Sequence, residues 1–201
     1  MTPLAQALLP LYRGYLRRLD EMAARIGDAA LREPTTRDEE GRLVRDERGF
    51  VLRFDVADSR NGETFEVHGA RPDEPAERDV RVGTLPFVLW PGNWEELTLR
   101  CVFSRAPEGE DLAALAELLH GWAVLAAHGA FAGGEGESGE WSGRLHSAAV
   151  RVEAPDVVAT LDLGTSPPDA LDPLAEALAG FGRDRAPLAR IVVGATRQED
   201  S

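Results

Sequence analysis

The chain of 201 residues contains no lysine, two isoleucines and one cysteine. All 22 basic residues are therefore arginines, which is typical of a GC-rich bacterial genome because lysine and isoleucine codons are AT-rich. With Cys101 alone an intrachain disulfide is excluded, and its apolar surroundings predict an inert buried thiol. No stretch reaches the ~18 apolar residues of a membrane span, and no basic segment precedes the first apolar residues as in a signal peptide. We expect a cytoplasmic protein with no membrane partner.

The charge is one-sided, with 35 acidic residues and a formal net charge of −13. Nucleic-acid binding draws on clustered lysine and arginine, whereas the arginines here are dispersed along the sequence and outnumbered. We therefore expect no nucleic-acid partner. An acidic surface favours association with a basic protein through charge complementarity. The simpler interpretation is that the charge keeps the protein soluble.

The second half has the element order β-α-β-β-α-β between Glu96 and Ala195. This order is typical of a ferredoxin-like sandwich, in which two helices cover one face of a four-stranded antiparallel sheet. Apolar residues spaced by three and four indicate the two helices, and they are Leu112, Leu115, Leu119, Trp122 and Ala126 in the first and Leu171, Leu174, Leu178 and Phe181 in the second. Such domains host many unrelated functions, so the function has to be inferred from a site.

The first half is predicted to be a helix followed by an antiparallel β-meander, which makes the whole chain α+β. The helix has an apolar stripe, made of Leu4, Leu8, Leu11, Tyr15, Leu19, Met22 and Ile26. Pro10 predicts that its regular part begins there. The charged stretch Glu33–Glu40 is predicted to be a loop. Leu43–Arg45 is predicted to pair with Phe50–Val56, and Asn61-Gly62 indicates a hairpin turn.

The segment from Leu85 to Trp94 is apolar before it becomes turn-like. Linkers are polar, so we expect this segment to be buried where the two halves join. We therefore predict residues 1–94 as a helix with antiparallel strands, tightly fused to a ferredoxin-like half at 95–201.

The residue types of catalytic and metal sites occur without the spacing those sites need. His120 and His128 lie eight residues apart on one predicted helix, a rise of about 12 Å that is too long for one shared metal. His68 and His146 have no neighbouring cysteine or second histidine. The glycine-rich stretch 133–140 lacks the Gly-Lys-Ser/Thr ending of a phosphate loop, and its glutamates repel phosphate. We predict no catalytic, cofactor or metal site.

Tryptophans beside turns give the strongest indication of a binding surface. Trp90 and Trp94 flank a Pro-Gly-Asn turn, and Trp141 ends an acidic loop. Tryptophan is enriched at protein-binding hot spots. The predicted protein-docking edge consists of Trp90, Asn93, Trp94, Glu135, Glu137, Glu140 and Trp141. The alternative is that Trp90 and Trp94 fill the seam between the two halves.

One stretch of the chain resembles a known family. Leu89-Trp90-Pro91-Gly92-Asn93, the strand Leu97–Cys101 and the helix from Asp111 to Ala127 resemble immunity proteins of bacterial polymorphic toxin systems. The resemblance covers residues 85–128, and the loop Gly133–Gly143 lies outside it. It implies a cytoplasmic α+β protein that binds and blocks a cognate toxin, whose basic surface would complement the acidic chain.

The leading hypothesis is a non-enzymatic protein-binding module, with toxin neutralisation as its most specific form. The alternative is a small-molecule-sensing or regulatory ferredoxin-like domain that acts as a homodimer with ligand between two sheets. A third hypothesis is an enzyme, for which Arg100, His120 and His146 are the first residues to test.

Overall fold

The computed structural model describes residues 2–69, 78–90, 92–131 and 141–194. These residues form an α+β fold, as predicted, with three α-helices and two sheets. No helix within these ranges is long and apolar enough to cross a bilayer. The elements in chain order are α1 (Pro3–Ile26), β1 (Ala30–Arg32), β2 (Val56–Asp58), β3 (Thr64–Phe65), β4 (Arg78–Val82), β5 (Leu85–Leu89), β6 (Leu97–Phe103), α2 (Gly109–Ala127), β7 (Ser147–Glu153), β8 (Asp156–Asp162), α3 (Leu171–Asp184) and β9 (Leu188–Val193).

Helix α1 begins earlier than its internal proline predicted. The hydroxyl of Thr2 accepts a hydrogen bond from the amide of Ala5 at 3.2 Å and caps the helix, and the following proline suits the first helical turn. The expected start at Pro10 is wrong, because the turns on either side of this exposed proline bury Leu8 and Leu11. Tertiary packing of the apolar face therefore outweighs the missing backbone donor.

The larger sheet has six strands in the order β4-β5-β9-β6-β8-β7. Along the order β9-β6-β8-β7, each pair of adjacent strands is antiparallel. Strand β5 lies parallel to β9, and β4 forms the edge. A hairpin from the first 94 residues therefore extends the sheet built by the second half. Leu85, Phe87 and Leu89 are buried, as expected for this segment.

The helices pack on the buried face of this sheet. Leu8 of α1 and Leu174 of α3 lie close to Phe87 and Leu99 on the strands. Cys101 is fully buried on β6, and burial, with the nearby charge of Asp156, raises the pKa of its thiol to about 12. The thiol is therefore protonated at neutral pH, in agreement with the prediction of an inert buried cysteine.

The smaller sheet has three strands in the order β1-β2-β3, all antiparallel. The predicted turn at Asn61-Gly62 is present between β2 and β3. Gly62 has φ +74°, and its amide donates to the carbonyl of Asp58 at 2.8 Å.

Residues 34–54, between β1 and β2, form a closed arrangement that we call the hairpin ring. The amide of Thr36 donates to the carbonyl of Leu52 at 2.9 Å, that of Leu52 to Val44 at 2.9 Å, and that of Val44 to Thr36 at 3.0 Å. Three hydrogen bonds thus link the chain segments around Thr36, Val44 and Leu52 in a cycle. These three residues are spaced by eight along the chain, so the hairpin ring is an internal structural repeat.

Three β-bridges flank this cycle in equivalent places, and they pair Thr35 with Arg53, Arg37 with Leu43, and Arg45 with Val51. The last bridge confirms the predicted pairing of Leu43–Arg45 with Phe50–Val56. No helix or strand lies in Glu33–Glu40, in agreement with its interpretation as a loop, but Thr35 and Arg37 form isolated bridges within it. Charged residues do not exclude such backbone pairing where the side chains reach solvent.

The two turns of the hairpin ring have the same construction. Oδ1 of Asp38 accepts from the amides two and four residues ahead, and Oδ1 of Asp46 does the same. Gly41 and Gly49 have φ +79° and +90°. Only glycine takes this conformation without a steric penalty.

We expect Gly49→Ala to lower the free energy of unfolding by about 1–2 kcal/mol, because alanine is strained at positive φ. Gly14→Ala is the matched control, since Gly14 is helical and its added methyl would meet no atom within 4 Å. It should raise stability by about 0.5–1 kcal/mol. Urea unfolding followed by circular dichroism measures both changes, and equal effects of the same sign would contradict the conformation assigned to Gly49.

Candidate functional site

Trp94 lies in the core and not on the predicted docking edge. Its side chain is 0% exposed, and its Nε1 donates to the carbonyl of Gly164 at 2.9 Å. Its ring centroid lies 5.4 Å from that of Tyr12 on α1. Trp94 therefore fills the seam between α1 and the loop after β8, and we remove it from the candidate surface.

Trp90, Asn93 and Trp141 are half-buried, and each has its own contacts. The amide of Trp90 donates to the carbonyl of Val193 at 2.8 Å, and Asn93 pairs with Glu96. Trp141 lies under the guanidinium of Arg32, 5.3 Å from its Cζ. The predicted docking residues Glu135, Glu137 and Glu140 lie outside the described residues.

The residues named for an enzyme also lie apart. Arg100 forms ion pairs with Glu153 at 2.9 Å and Asp156 at 3.1 Å across the sheet. His120 is exposed on α2, with its ring 6.0 Å from that of Phe50. His146, by contrast, is buried just before β7, where it meets a group of polar side chains.

This group, the His146 cluster, consists of Tyr15, Glu33, Asp55, His146, Asp162 and Thr165. Nε2 of His146 donates to Oε1 of Glu33 at 3.0 Å. Nδ1 lies 3.5 Å from Oδ1 of Asp55 and 3.7 Å from Oδ2 of Asp162. Nε2 faces a carboxylate oxygen that only accepts, so Nε2 carries a proton, and the two aspartates near Nδ1 favour a proton there as well. Burial lowers the pKa of His146, but these carboxylates outweigh that effect and raise it.

Glu33 is held in its ionised form inside the protein. Its side chain is 2% exposed. Oε1 also accepts from the hydroxyl of Thr165 at 2.6 Å, and Oε2 accepts from the amide of Ser142. Burial opposes ionisation, but the hydrogen bonds, with the charge of His146, lower the pKa of Glu33 to about 2. Glu33 directly follows β1, and its side chain therefore links the end of that strand to both loops that flank the β7–β8 hairpin.

Asp55 and Asp162 complete the cluster from two further elements. Asp55 accepts from the hydroxyl of Tyr15 at 2.5 Å and from the amide of Val67 at 2.6 Å. Burial raises the pKa of Asp162 to about 6; the charge of Asp55 also raises it, whereas that of His146 lowers it. Burial and the charge of Asp55 also raise the pKa of Tyr15 well above its usual value.

The backbone approaches the His146 ring closely at Gly164. A Cβ built on this residue would lie 2.4 Å from Cδ2 of His146, and φ is +51°. Only glycine fits here, so the turn after β8 and the position of the imidazole depend on each other.

The chain sequence carries little local signal for the His146 cluster. Its members come from six separate places between residues 15 and 165, and no motif joins them. The eight-residue recurrence Arg-Asp-Glu-x-Gly at 37–41 and 45–49 is a signal that our sequence analysis missed. It indicates the hairpin ring and its regularly spaced arginines.

A cleft of about 480 Å³ lies between the hairpin ring, the end of α2 and the residues before β7. We call it the arginine cleft, because Arg37, Arg45, Arg53 and Arg144 line it. Its other lining residues are Glu33, Pro34, Thr35, Leu43, Val51, Ala127, His128, Leu145 and His146. Arg53 is half-buried, and the other three arginines are exposed.

The arginines of this cleft have no acidic partner within the part of the chain that the structure describes. No carboxylate oxygen there lies within 4 Å of any of the four guanidinium groups, whereas Arg42, Arg60 and Arg185 outside the cleft each form such a pair. Arg53 instead donates to the backbone carbonyl of Glu33 at 3.0 Å. Burial lowers the pKa of Arg53, the charge of Glu33 opposes that effect, and the charge of Arg144 adds to it.

A second cleft, of about 460 Å³, lies between α1 and residues 66–68. It is lined by three arginines, but Glu21 and Glu66 also line it. Its charges are therefore mixed, and the arginine cleft is the more basic of the two.

Within the described ranges, no group of three or more His, Cys, Asp or Glu side chains has the arrangement of a metal site. In the His146 cluster the carboxylate oxygens already accept hydrogen bonds from the protein. The arrangement stabilises one buried imidazolium, and it places Glu33 and His146 at the wall of the arginine cleft.

Comparison with protein-family models, with curated proteins and with solved structures finds no match to this chain.

We expect Glu33→Gln to lower the free energy of unfolding at pH 7 by about 3 kcal/mol, because it leaves the buried His146 charge without its closest partner. The pKa of Glu33 is lowered, so its stabilisation is present above the ordinary value of 4.5 and is lost as the pH falls towards 2. The difference between wild type and Glu33→Gln should therefore shrink over that range.

Urea unfolding at pH 7, 5, 4 and 3 measures this difference. Glu153→Gln is the control, since it breaks a surface ion pair with Arg100 and should cost no more than about 1 kcal/mol. A loss in Glu33→Gln that is as large at pH 3 as at pH 7 would contradict the ionised state assigned to Glu33.

Proposed function

We propose that this protein is a non-enzymatic binding module and that a negatively charged ligand binds in the arginine cleft. The observation that carries the proposal is the convergence of four arginines, without acidic partners among the described residues, on one cleft. Guanidinium groups bind carboxylate and phosphate in a bidentate manner. A cleft of about 480 Å³ also has the size of a small-ligand site.

The chemistry beside the cleft favours binding over catalysis. Glu33, with a pKa of about 2, is a weak base, and a general base works best with a pKa near the ambient pH. His146 is buried and holds its protons towards internal carboxylates. These groups position the wall of the cleft and do not act on a bound molecule.

The architecture suits a module of this kind. We propose a ferredoxin-like sandwich for residues 97–193, extended by β4 and β5. The element order β6-α2-β7-β8-α3-β9 and the antiparallel order β9-β6-β8-β7 support it. The ligand site then lies beside the sandwich, where the hairpin ring meets the end of α2. We also propose a cytoplasmic location, which the single cysteine supports.

The binding proposal predicts that acidic compounds perturb the cleft arginines. A panel of hexaglutamate, citrate and pyrophosphate is added in turn to ¹⁵N-labelled protein, and the Nε–Hε signals of arginine are followed by NMR. At least one compound should shift the signals of Arg45, Arg53 and Arg144 in a saturable manner, while Arg190 on β9 should not respond. The proposal fails if no member of the panel shifts the cleft signals at millimolar concentration.

Docking of a partner protein is the second candidate, with toxin neutralisation as its most specific form. Leu31 on edge strand β1 is 48% exposed, and its neighbour Arg32 stacks on Trp141. Tryptophan and arginine are enriched at protein interfaces, and an exposed aliphatic side chain on the same edge strand adds apolar area. The formal net charge of −13 would steer a basic partner towards the chain as a whole.

A pull-down from the native host tests this candidate. The double variant Leu31→Ala/Trp141→Ala should lose a stoichiometric partner that wild type retains. Leu125→Ala is the matched control, because Leu125 is 53% exposed on α2. Retention of the partner by the double variant, or its equal loss in Leu125→Ala, would count against docking at β1.

A further inference from the structure

The hairpin ring gives the arginine cleft a repeated wall. Arg37, Arg45 and Arg53 occupy equivalent places in the three segments, one residue after Thr36, Val44 and Leu52. Each pairs with one of three further equivalent residues. These residues are Thr35, Leu43 and Val51, and all six bridge residues line the cleft. Three equivalent arginines of the ring thus line one wall of the cleft, and Arg144, from the chain before β7, lines the opposite wall.

The supply of N–H donors exceeds what one carboxylate accepts. Arg37 and Arg45 each donate to a turn carbonyl, at Gly41 and Gly49, over 2.7 Å. A guanidinium has five N–H groups, so most of the donors on the four arginines remain for a ligand. One guanidinium satisfies both oxygens of a carboxylate. Four guanidinium groups therefore match a ligand with several oxyanion groups, and a terminal phosphate offers three acceptor oxygens.

The acidic side chain at the cleft does not cancel this charge. Glu33 already receives hydrogen bonds from His146, Thr165 and the amide of Ser142. The oxygens of Glu33 are therefore already occupied within the protein. Among the residues that line the cleft, four arginines stand against this one acidic side chain.

The lining also has an apolar component. Pro34, Leu43, Val51, Ala127 and Leu145 lie among the arginines. An inorganic anion would leave this surface exposed to water. An organic body attached to the charged groups would cover it and gain from burial.

We infer that the arginine cleft binds a small organic molecule that carries two or more phosphate groups. This inference rests on the proposed function, since it names the ligand of the same cleft. The phosphates bind the guanidinium groups of the hairpin-ring arginines on one wall and of Arg144 on the other. The organic body packs on the apolar lining residues.

Isothermal titration at fixed ionic strength, pH 7.5 and with EDTA tests the inference. The probes are ADP, pyrophosphate and citrate. ADP should bind once per chain, more tightly than pyrophosphate and at least tenfold more tightly than citrate. The double variant Arg45→Gln/Arg144→Gln, which removes one charge from each wall, should weaken ADP binding by roughly a hundredfold, because each lost bond to a charged group is worth about a factor of ten.

The matched control is Arg151→Gln/Arg190→Gln, which removes two exposed arginines outside the cleft and should leave the affinity for ADP unchanged. Thermal unfolding of each variant checks that it folds. Citrate binding as tightly as ADP, or hexaglutamate shifting the cleft signals when neither phosphate compound binds, would overturn the phosphate assignment and leave the binding function standing. Equal weakening in the control pair would place ADP outside the cleft. If no acidic compound binds, both proposals fail.

Discussion

The buried ion pair between Glu33 and His146 is the interaction on which the arrangement of this molecule depends. Around it, Asp55 and Tyr15 bring in β2 and α1, while Thr165 and the amide of Ser142 bring in the loops on either side of the β7–β8 hairpin. A buried charge without its partner is strongly destabilising. Each of these elements is therefore fixed relative to the others by the need to keep one imidazolium surrounded by acceptors.

The same pair fixes the wall of the arginine cleft, because Glu33 and His146 both line it. The net charge of the whole chain does not describe the charge at this cleft. A chain with a formal net charge of −13 carries four arginines at one cleft, and charges more than about 10 Å away are largely screened by salt. A ligand in the cleft responds mainly to the nearest charges, so an acidic protein can present a basic site.

Regular elements were predictable where the apolar residues repeat. The spacing of Leu115, Leu119 and Trp122 indicated α2, and alternation from Leu97 to Phe103 indicated β6. The start of α1 was not predictable, because Pro10 suggested a helix boundary. The burial of Leu8 and Leu11 on either side of this proline outweighs that signal. The His146 cluster could not be found either, since Glu33 lies in a charged stretch that resembles solvent-exposed chain and its partner is 113 residues away. Trp94 has the residue type of a binding hot spot, but a large apolar side chain can equally well fill a seam in the core. Residue type alone therefore could not distinguish the two positions.

The cyclic hydrogen bonding of the hairpin ring has a consequence for how this part of the chain tolerates changes in length. Each segment is both donor to one neighbour and acceptor from the other, so no segment is terminal. A deletion of one residue would shift the register of a bridge and turn an arginine away from the cleft. Removal of a whole eight-residue unit would keep the register but open the cycle and subtract one positive charge. Changes in length are therefore best placed at the exposed turn tips, where Glu39, Glu40, Glu47 and Arg48 lie, because there they leave the bridges behind them in register.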